Sequence, residues 1–244
     1  MRIAILSDVH ANLEALAAII DAARQERVDR FVCLGDVVGY GASPNQCCEI
    51  LRRIVGIALL GNHDAAVTGR MDYAFYYDAA RHALDWTAGV LQPEHRAWLS
   101  GLPYSERVGD VGFSHGSPLH PEAYDYILAS EQAAELIPVV DDLPGVTFIG
   151  HSHLTKVFAL QAGSEVIEVS GRKFRLRPGY KYVVTVGAVG QPRDYDNRAC
   201  FVIHDTVERT VEYVRVPYDI ETSAQRIFAA KVAANFGRRL FLGI

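Results

Sequence analysis

Five short runs of the chain carry the kinds of side chain that bind divalent metal ions. They contain carboxylates, imidazoles and one amide, and five of the nine histidines lie within them. Any one run alone is more common in a solvated loop or around a buried structural histidine, so it is their recurrence that favours a metal site. The runs are Asp8-Val9-His10, Gly35-Asp36, Gly61-Asn62-His63-Asp64, His115-Gly116 and Gly150-His151-Ser152-His153.

The spacing within two of the runs suits shared ligation. Residues two apart on an extended backbone point to the same side, so Asp8 and His10 could hold one ion or present two groups to one site. The same holds for His151 and His153. Glycines permit sharp turns, and three of them directly precede candidate ligands: Gly35, Gly61 and Gly150.

The number and type of these residues favour two catalytic ions over one structural ion. A structural zinc site needs closed tetrahedral ligation by Cys and His, whereas no cysteine joins the runs and the candidates exceed four. Asp36 has two oxygens and can bridge two ions, and Asn62 offers a neutral carbonyl oxygen. The mixed histidine and carboxylate set favours Mn, Fe, Co, Ni or Zn over Mg, with Mn as the first expectation.

The runs follow predicted β-strands, at the place where open α/β sheets carry their functional groups. Short β-like segments in the first half alternate with amphipathic ones, which is typical of an α/β fold. The predicted strands are 2–6, 30–34, 56–60, 111–113 and 146–149. Apolar residues at helical spacing predict helices over 12–27, 46–54 and 79–91.

After His153 the pattern changes to strands without long helices between them. Segments 156–160, 165–169, 172–177, 182–186, 199–204 and 210–217 predict a meander or a second sheet. A last helix is expected after Glu221, with Thr222 or Ser223 as its cap. Together these elements predict an α/β fold, a four-layer α/β/β/α sandwich of two mixed sheets flanked by helices, as a single domain over 1–244.

Composition narrows the class of protein. Half of the residues are hydrophobic and 22% are charged, which suits a chain with a sizeable core and argues against disorder. A formal charge of -5 makes nucleic acid a poor standing partner. Four cysteines without CxxC spacing are expected to be buried and reduced, as in a cytoplasmic protein. No signal peptide and no membrane span is expected, and the oligomeric state stays open.

The five runs, in their order along the chain, resemble the five blocks of the calcineurin-like metallophosphoesterases. By motif the resemblance covers residues 1 to about 154. The segment Gly187-Ala188-Val189-Gly190-Gln191-Pro192-Arg193 resembles a further block of small bacterial and archaeal phosphodiesterase-like members. The resemblance implies the same αββα sandwich and a small phosphate ester as substrate.

The resemblance also implies a role for each residue of the runs. One ion would be held by Asp8, His10 and His153, with Asp36 bridging to a second ion. His63 would protonate the leaving alkoxide or stabilise its charge, and a hydroxide shared by the ions would attack phosphorus in line. The expected ligands of the second ion are Asn62, His115 and His151.

One departure from relatives bears on the substrate. In protein Ser/Thr phosphatases and symmetrical dinucleoside tetraphosphatases the second block continues with an Arg-Gly pair, whereas this chain continues Val37-Val38-Gly39-Tyr40. Tyr40 cannot supply the bidentate charge of a guanidinium. Phosphodiesters or phosphomonoesters are therefore favoured over phosphoproteins and dinucleoside polyphosphates. A catalytically silent scaffold of the same fold is a third alternative, which the complete ligand set disfavours.

Several residues are weaker candidates for contact with the substrate. Asn12 could bind a ligand, although capping of the first helix is its more common role. Arg193 is the better candidate for touching phosphate, by resemblance to relatives, and Tyr40 is a further candidate for contact with the substrate. Asp64 could orient His63, but adjacent side chains often diverge. The aromatic segment around Tyr76 could line an entrance or pack in the core.

Overall fold

The computed structural model describes residues 1–244. It contains twelve strands that form two six-stranded sheets. The strands are β1 (Arg2–Leu6), β2 (Arg30–Cys33), β3 (Val55–Ala58), β4 (Ser105–Val108), β5 (Val111–Ser114), β6 (Val146–Ile149), β7 (Thr155–Leu160), β8 (Ile167–Glu168), β9 (Lys173–Arg175), β10 (Lys181–Val186), β11 (Ala199–Asp205) and β12 (Thr210–Val216).

Both sheets mix strands from the two halves of the chain. The first sheet has the order β3-β2-β1-β11-β12-β9 and the second has the order β4-β5-β6-β10-β7-β8. The expectation that the second half forms a meander or sheet of its own is therefore wrong. The free edge of β1 needs a ladder partner because its backbone is buried, and β11 supplies it in antiparallel register, with Ile3 opposite His204. Parallel β10 does the same for β6.

Eight α-helices cover the sheets, and the sequence predicts α1, α2 and α4 to within two residues at either end. Their bounds are α1 (Leu13–Gln25), α2 (Pro44–Ile54), α3 (Asn62–Thr68), α4 (Asp78–Val90), α5 (Pro93–Ser100), α6 (Ser130–Ala134), α7 (Ile220–Ala229) and α8 (Ala234–Leu242). Helices α3 and α5 are not predicted by the sequence pattern. No helix is both long and apolar enough to cross a membrane.

Alternation along β1 divides the core into layers. Ile3 and Ile5 belong to a buried cluster that joins both sheets, whereas Ala4 and Leu6 pack with residues of α1 and α2 on the outer face. On the outside of the second sheet, Phe158 packs with residues around α6. The layers therefore run helix, sheet, sheet, helix, which confirms the predicted α/β/β/α sandwich.

The C-terminal helical stretch is two helices and not one. Asp219 caps α7 by accepting the backbone N–H of Thr222 at 2.9 Å, so the predicted caps Thr222 and Ser223 lie inside the helix. Lys231 has a left-handed backbone, with φ of 55°, and interrupts the helix before α8 begins.

The cysteines lie as expected. All four cysteines are buried and free of disulfides. Exposed basic residues of β9 form ion pairs, Lys173 with Glu212 at 2.9 Å and Arg175 with Glu208 at 3.2 Å.

Candidate active site

The seven predicted ligands converge at one edge of the sandwich. They follow β1, β2 and β3 of the first sheet and β5 and β6 of the second, whose carboxyl ends meet there. Each is buried, with 0 to 6% of its surface exposed. They are Asp8, His10, Asp36, Asn62, His115, His151 and His153.

The first donor group consists of Asp8, His10 and His153, whose ligand atoms all lie within 4.8 Å of one another. The Nε2 atom of His153 is 3.3 Å from Oδ1 of Asp8 and 3.2 Å from Nε2 of His10. His10 comes from the first sheet and His153 from the second. The group therefore joins the two sheets, and its ligand atoms are close enough together to hold a single ion.

The second donor group consists of Asp36, Asn62, His115 and His151. Nε2 of His115 is 3.4 Å from Oδ2 of Asp36 and 3.2 Å from Oδ1 of Asn62, and a nitrogen of His151 completes the cluster. The Asn62 amide donates to the hydroxyl of Tyr76 at 2.7 Å, which turns its oxygen toward His115. Oδ2 of Asp36 is also 3.6 Å from Nε2 of His10, so this carboxylate stands between the two groups.

The backbone beneath these ligands is left-handed. Asp8, His10, Asp36, His151 and His153 all have φ between 46° and 63°. The pairs two apart therefore do not reach a common centre by strand alternation, and the extended-backbone prediction is wrong. Each turn departs sharply from its strand and aims one side chain inward. Such conformations cost about 1–3 kcal/mol each and cluster at functional sites.

Two glycines make room for the shared carboxylate. Gly35 has φ of 114°, and a Cβ there would meet the backbone of Gly61. A Cβ on Gly61 would collide with Oδ1 of Asp36. The turns after β2 and β3 can therefore approach each other only because both lack side chains, as the sequence predicts for these positions.

Three of the ligand histidines are oriented by the backbone. A ring nitrogen that donates to a carbonyl leaves the other nitrogen with a lone pair, which is how proteins fix imidazole ligands. The Nδ1 atoms face carbonyl oxygens as follows: His10 that of Val38 at 3.1 Å, His115 that of Leu34 at 3.0 Å, and His153 that of Gln191 at 2.5 Å.

This donor set fits divalent cations. With Nδ1 of His10 and of His153 donating to carbonyls, their Nε2 lone pairs face each other at 3.2 Å without a proton between them. Oδ1 of Asp8 is buried and receives no hydrogen bond. Electron pairs brought this close are stabilised by a cation among them, and the nitrogen and oxygen donors suit a transition metal.

The protonation states of the donor groups agree with ligation, except at His115. Burial lowers the pKa of His10 well below its usual value and that of His151 to about 3. Burial opposes the charge of Asp36, but His115 holds the pKa of that carboxyl well below its usual range. Burial also disfavours the charged form of His115, yet Asp36 raises its pKa to about 9, so a cation would have to displace that proton. Ionised carboxylates and neutral imidazoles are the forms that bind metals.

His63 lies beside the donor groups, and one of its ring nitrogens has no hydrogen-bond partner. Its backbone N–H donates to Oδ1 of Asp36 at 2.9 Å. The centre of its ring lies 4.4 Å from the ring centre of Tyr40 and 4.9 Å from that of His10. Nδ1 of His63 is buried without a partner, and burial lowers the pKa of the ring to about 4. His10, Asp36 and His63 form a third close cluster, but no backbone carbonyl orients His63 as one orients His10.

Asp64 forms no hydrogen bond with the ring of His63. Its carboxylate accepts the backbone N–H groups of Val37, Val38 and Gly61 at 3.1 to 3.2 Å. It therefore ties the turn after β2 to the turn after β3. Its place at the third residue of α3 is the sequence signal for this role, since acids there bond to backbone N–H groups at the helix start.

A cleft of about 680 Å³ opens over the donor groups. Arg193 lines it, with its guanidinium carbon 5.8 Å from the centre of the Tyr40 ring. Burial lowers the pKa of His153, and the positive charge of Arg193 lowers it further. A second arginine of the cleft, Arg239, is not predicted from the sequence because it lies in α8, outside every motif.

Asn12 lies apart from this cleft. It caps α1 by accepting the N–H of Ala15 at 3.1 Å, it accepts the hydroxyl of Ser223 at 2.8 Å, and its amide donates to the carbonyl of Gly190 at 3.0 Å. The polar atoms of Asn12 are thus engaged within the fold, as the capping interpretation expects.

Comparison with known proteins agrees with this geometry. A family model described as calcineurin-like phosphoesterase matches residues 1–187. An uncharacterized protein of Methanocaldococcus jannaschii is 35% identical over 99% of this chain and 98% of its own. The crystal structure of a metallophosphoesterase from Sphaerobacter thermophilus is 36% identical, covers 100% of this chain and 99% of its own, and superposes with a TM-score of 0.87.

A more distant structure shares the fold. A hypothetical protein of Pyrococcus horikoshii is 18% identical, with a TM-score of 0.79 over 100% of this chain and 98% of its own. From the extent of the family match and the identity to two relatives along their whole length, the chain belongs to the calcineurin-like phosphoesterases, a family of metal-dependent hydrolases of phosphate esters.

Proposed function

We propose that this protein hydrolyses small phosphodiesters or phosphomonoesters with two divalent transition-metal ions, by direct attack of a hydroxide on phosphorus. The observation that carries the proposal is the pair of donor groups on either side of one carboxylate, Asp36. A single structural ion would leave one group without a cation. Mn is the proposed metal, with Fe, Co, Ni or Zn as alternatives.

Two bound ions would supply an activated water and neutralise charge on the phosphate. The protein's own residues do the rest. His63 lines the cleft. Burial keeps its ring neutral in the free protein, and the negative charge of a bound ester would favour the protonated ring, which can then give its proton to the leaving oxygen. Such a role contributes about 10² to 10⁴ in rate. Asp36 accepts the backbone N–H of His63 at 2.9 Å. The same carboxylate therefore positions the proton donor and contributes to the proposed metal site.

Arg193 takes the place of the arginine that the second block lacks. Its guanidinium lies over the Tyr40 ring and lines the cleft above the donor groups. A guanidinium there can bind a non-bridging phosphate oxygen by two N–H groups. In this arrangement Tyr40 packs against the phosphate-binding arginine. The phosphate is then bound by Arg193, which is distant in sequence from the second block.

The cellular setting is also a proposal. Four buried, reduced cysteines are typical of the cytoplasm. The formal charge of -5 favours a small ester over nucleic acid as the partner.

The test is metal-dependent turnover. Metal-free protein reloaded with Mn²⁺ should contain about two ions per chain and hydrolyse bis(p-nitrophenyl) phosphate or p-nitrophenyl phosphate. Arg193→Met should raise KM more than it lowers kcat. Less than one ion per chain together with no turnover would overturn the proposal and favour a scaffold of this fold. Turnover restricted to phosphopeptides or dinucleoside polyphosphates would favour a phosphoprotein phosphatase or a dinucleoside polyphosphatase instead.

A further inference from the structure

The cleft over the metal centre is much larger than a phosphate requires. Its volume of about 680 Å³ is in the range that holds a ligand of drug size. Metal ions and Arg193 would account for the phosphate at one end only. The remainder of the cleft must therefore receive another part of the substrate.

The lining of that remainder is aromatic and exposed. Phe75 and Tyr77, in the segment between α3 and α4, are 76% and 53% exposed, and Tyr126, after β5, is 47% exposed. Large aromatic side chains that line a cleft without being buried in it favour binding of a flat apolar group. Tyr76, which lies between Phe75 and Tyr77 in the sequence, is held in place by the hydrogen bond that its hydroxyl accepts from Asn62.

Tyr126 shows where a flat group would lie. One face of its ring stacks on His151 at 3.9 Å between ring centres and 17° between planes. Tyr126 also lines the cleft, and about half of its surface is exposed. Because His151 belongs to the second donor group, a ring stacked on Tyr126 would lie close to a phosphorus atom held by the metals. The substrate would thus carry its flat group near the reacting phosphate.

The charged residues of the cleft define the substrate further. Arg193 and Arg239 offer guanidinium groups to an anionic ester, and Asp125 offers a carboxylate that can accept N–H groups. A flat ring with N–H donors, attached near a phosphate, is a nucleobase on a sugar phosphate. Base stacking on aromatic side chains is strong and tolerant of sequence.

We propose that the cleft binds the base of a small nucleoside phosphodiester, with Phe75, Tyr77 and Tyr126 as its stacking surface and Asp125 as its acceptor. This rests on the proposed phosphoesterase function. In the reaction, the oxygen of water bonds to phosphorus and the bond from phosphorus to the leaving alcohol oxygen breaks. The alcohol oxygen takes a proton, and a nucleoside monophosphate remains.

The first experiment compares two esters with the same leaving group. The methyl ester of adenosine 5′-phosphate and the same ester of 1-deoxyribose 5-phosphate differ only in the base. With Mn-loaded protein we expect kcat/KM to be at least about tenfold higher for the adenosine ester, as one stacked base allows. Phe75→Ala should reduce that ratio about fivefold or more. Phe241→Ala, a phenylalanine 48% exposed outside the cleft, should retain it.

The second experiment is independent of turnover. Binding of adenosine 5′-monophosphate and of ribose 5-phosphate to the Mn-loaded protein is measured by calorimetry, for the native protein and both variants. Tighter binding of the nucleotide that is lost in Phe75→Ala supports the subsite. Equal affinities, or equal kcat/KM for the two esters, would overturn it. Absence of turnover for every ester, with the nucleotide still preferred, would refute the phosphoesterase function and leave the subsite standing.

Discussion

Replacement of Asp36 by Asn tests the carboxylate shared by the two donor groups. Oδ1 of Asp36 accepts the backbone N–H of His63 at 2.9 Å, and an Asn oxygen would keep that bond. Its NH₂ group would then occupy the position of Oδ2, which is 3.6 Å from Nε2 of His10 and 3.4 Å from Nε2 of His115. N–H donors aimed at both groups would satisfy the lone pairs that a metal needs.

The effect on stability can be estimated from linkage. A ligand present at 100 times its Kd stabilises the native state by about 2.7 kcal/mol, so two ions contribute about 5 kcal/mol. For a domain of this size, that corresponds to a rise in Tm of about 10–20 °C. In Asp36→Asn we expect a rise of no more than a few degrees at the same concentration of Mn²⁺. Turnover should fall at least about 100-fold, because even residues outside the ligand shell contribute 10- to 100-fold.

The assay is thermal unfolding of each protein with and without Mn²⁺, so that differences between the metal-free forms cancel. Asp29→Asn is the matched control, since Asp29 is an exposed carboxylate that accepts the backbone N–H of Arg2 at 2.7 Å. It should show the native rise in Tm. A native rise together with native turnover in Asp36→Asn would refute the bridging role.

Three further substitutions test the catalytic role of His63, the close approach of Gly39 to His63, and the ion pair between Arg215 and Asp194. His63→Gln should lower kcat about 10² to 10⁴ and keep the rise in Tm with Mn²⁺; loss of that rise would instead identify His63 as a ligand. Gly39→Ala should lower the free energy of unfolding by about 1–3 kcal/mol, measured in urea, because Gly39 has φ of 91° and its new Cβ would collide with Nδ1 of His63; native stability would contradict this contact. Arg215→Leu leaves the largely buried Asp194 without its ion pair, so we expect a loss of about 2–3 kcal/mol and a higher KM through the neighbouring Arg193, whereas a rise in KM without loss of stability would argue against the pair.

The sequence predicts the location of the site because the relevant signal is local. A polar residue directly after a hydrophobic strand lies at the sheet edge, whichever strands are neighbours. Asp8 and Asp36 could therefore be assigned to one edge without knowledge of the topology. The family resemblance added the division of the ligands between two ions, which stays a prediction. In the structure Asp8, His10 and His153 form one close cluster, and Asp36, His115 and His151 form another.

What the sequence does not predict depends on contacts between distant segments. The left-handed backbone of His151 has no signature in a run that reads Gly-His-Ser-His. Pairing of β1 with β11 is decided by which strand reaches a free edge, and alternation alone does not encode that choice. Asp64 illustrates the same limit, since its three N–H donors come from turns that only the fold brings together.

Each donor group contains residues from both sheets, and this has a consequence for the order of folding and metal binding. His10 and His153 are 143 residues apart, so the chain must close that long loop before the first site exists. Metal cannot nucleate such a structure as it does in a zinc finger. We therefore expect the protein to fold first and then to bind the proposed ions, which would hold the two sheets together at this edge. Chelation should consequently speed hydrogen exchange of amides that join the sheets at this edge, such as His151 N–H bonded to Asp8, before it affects the outer helices.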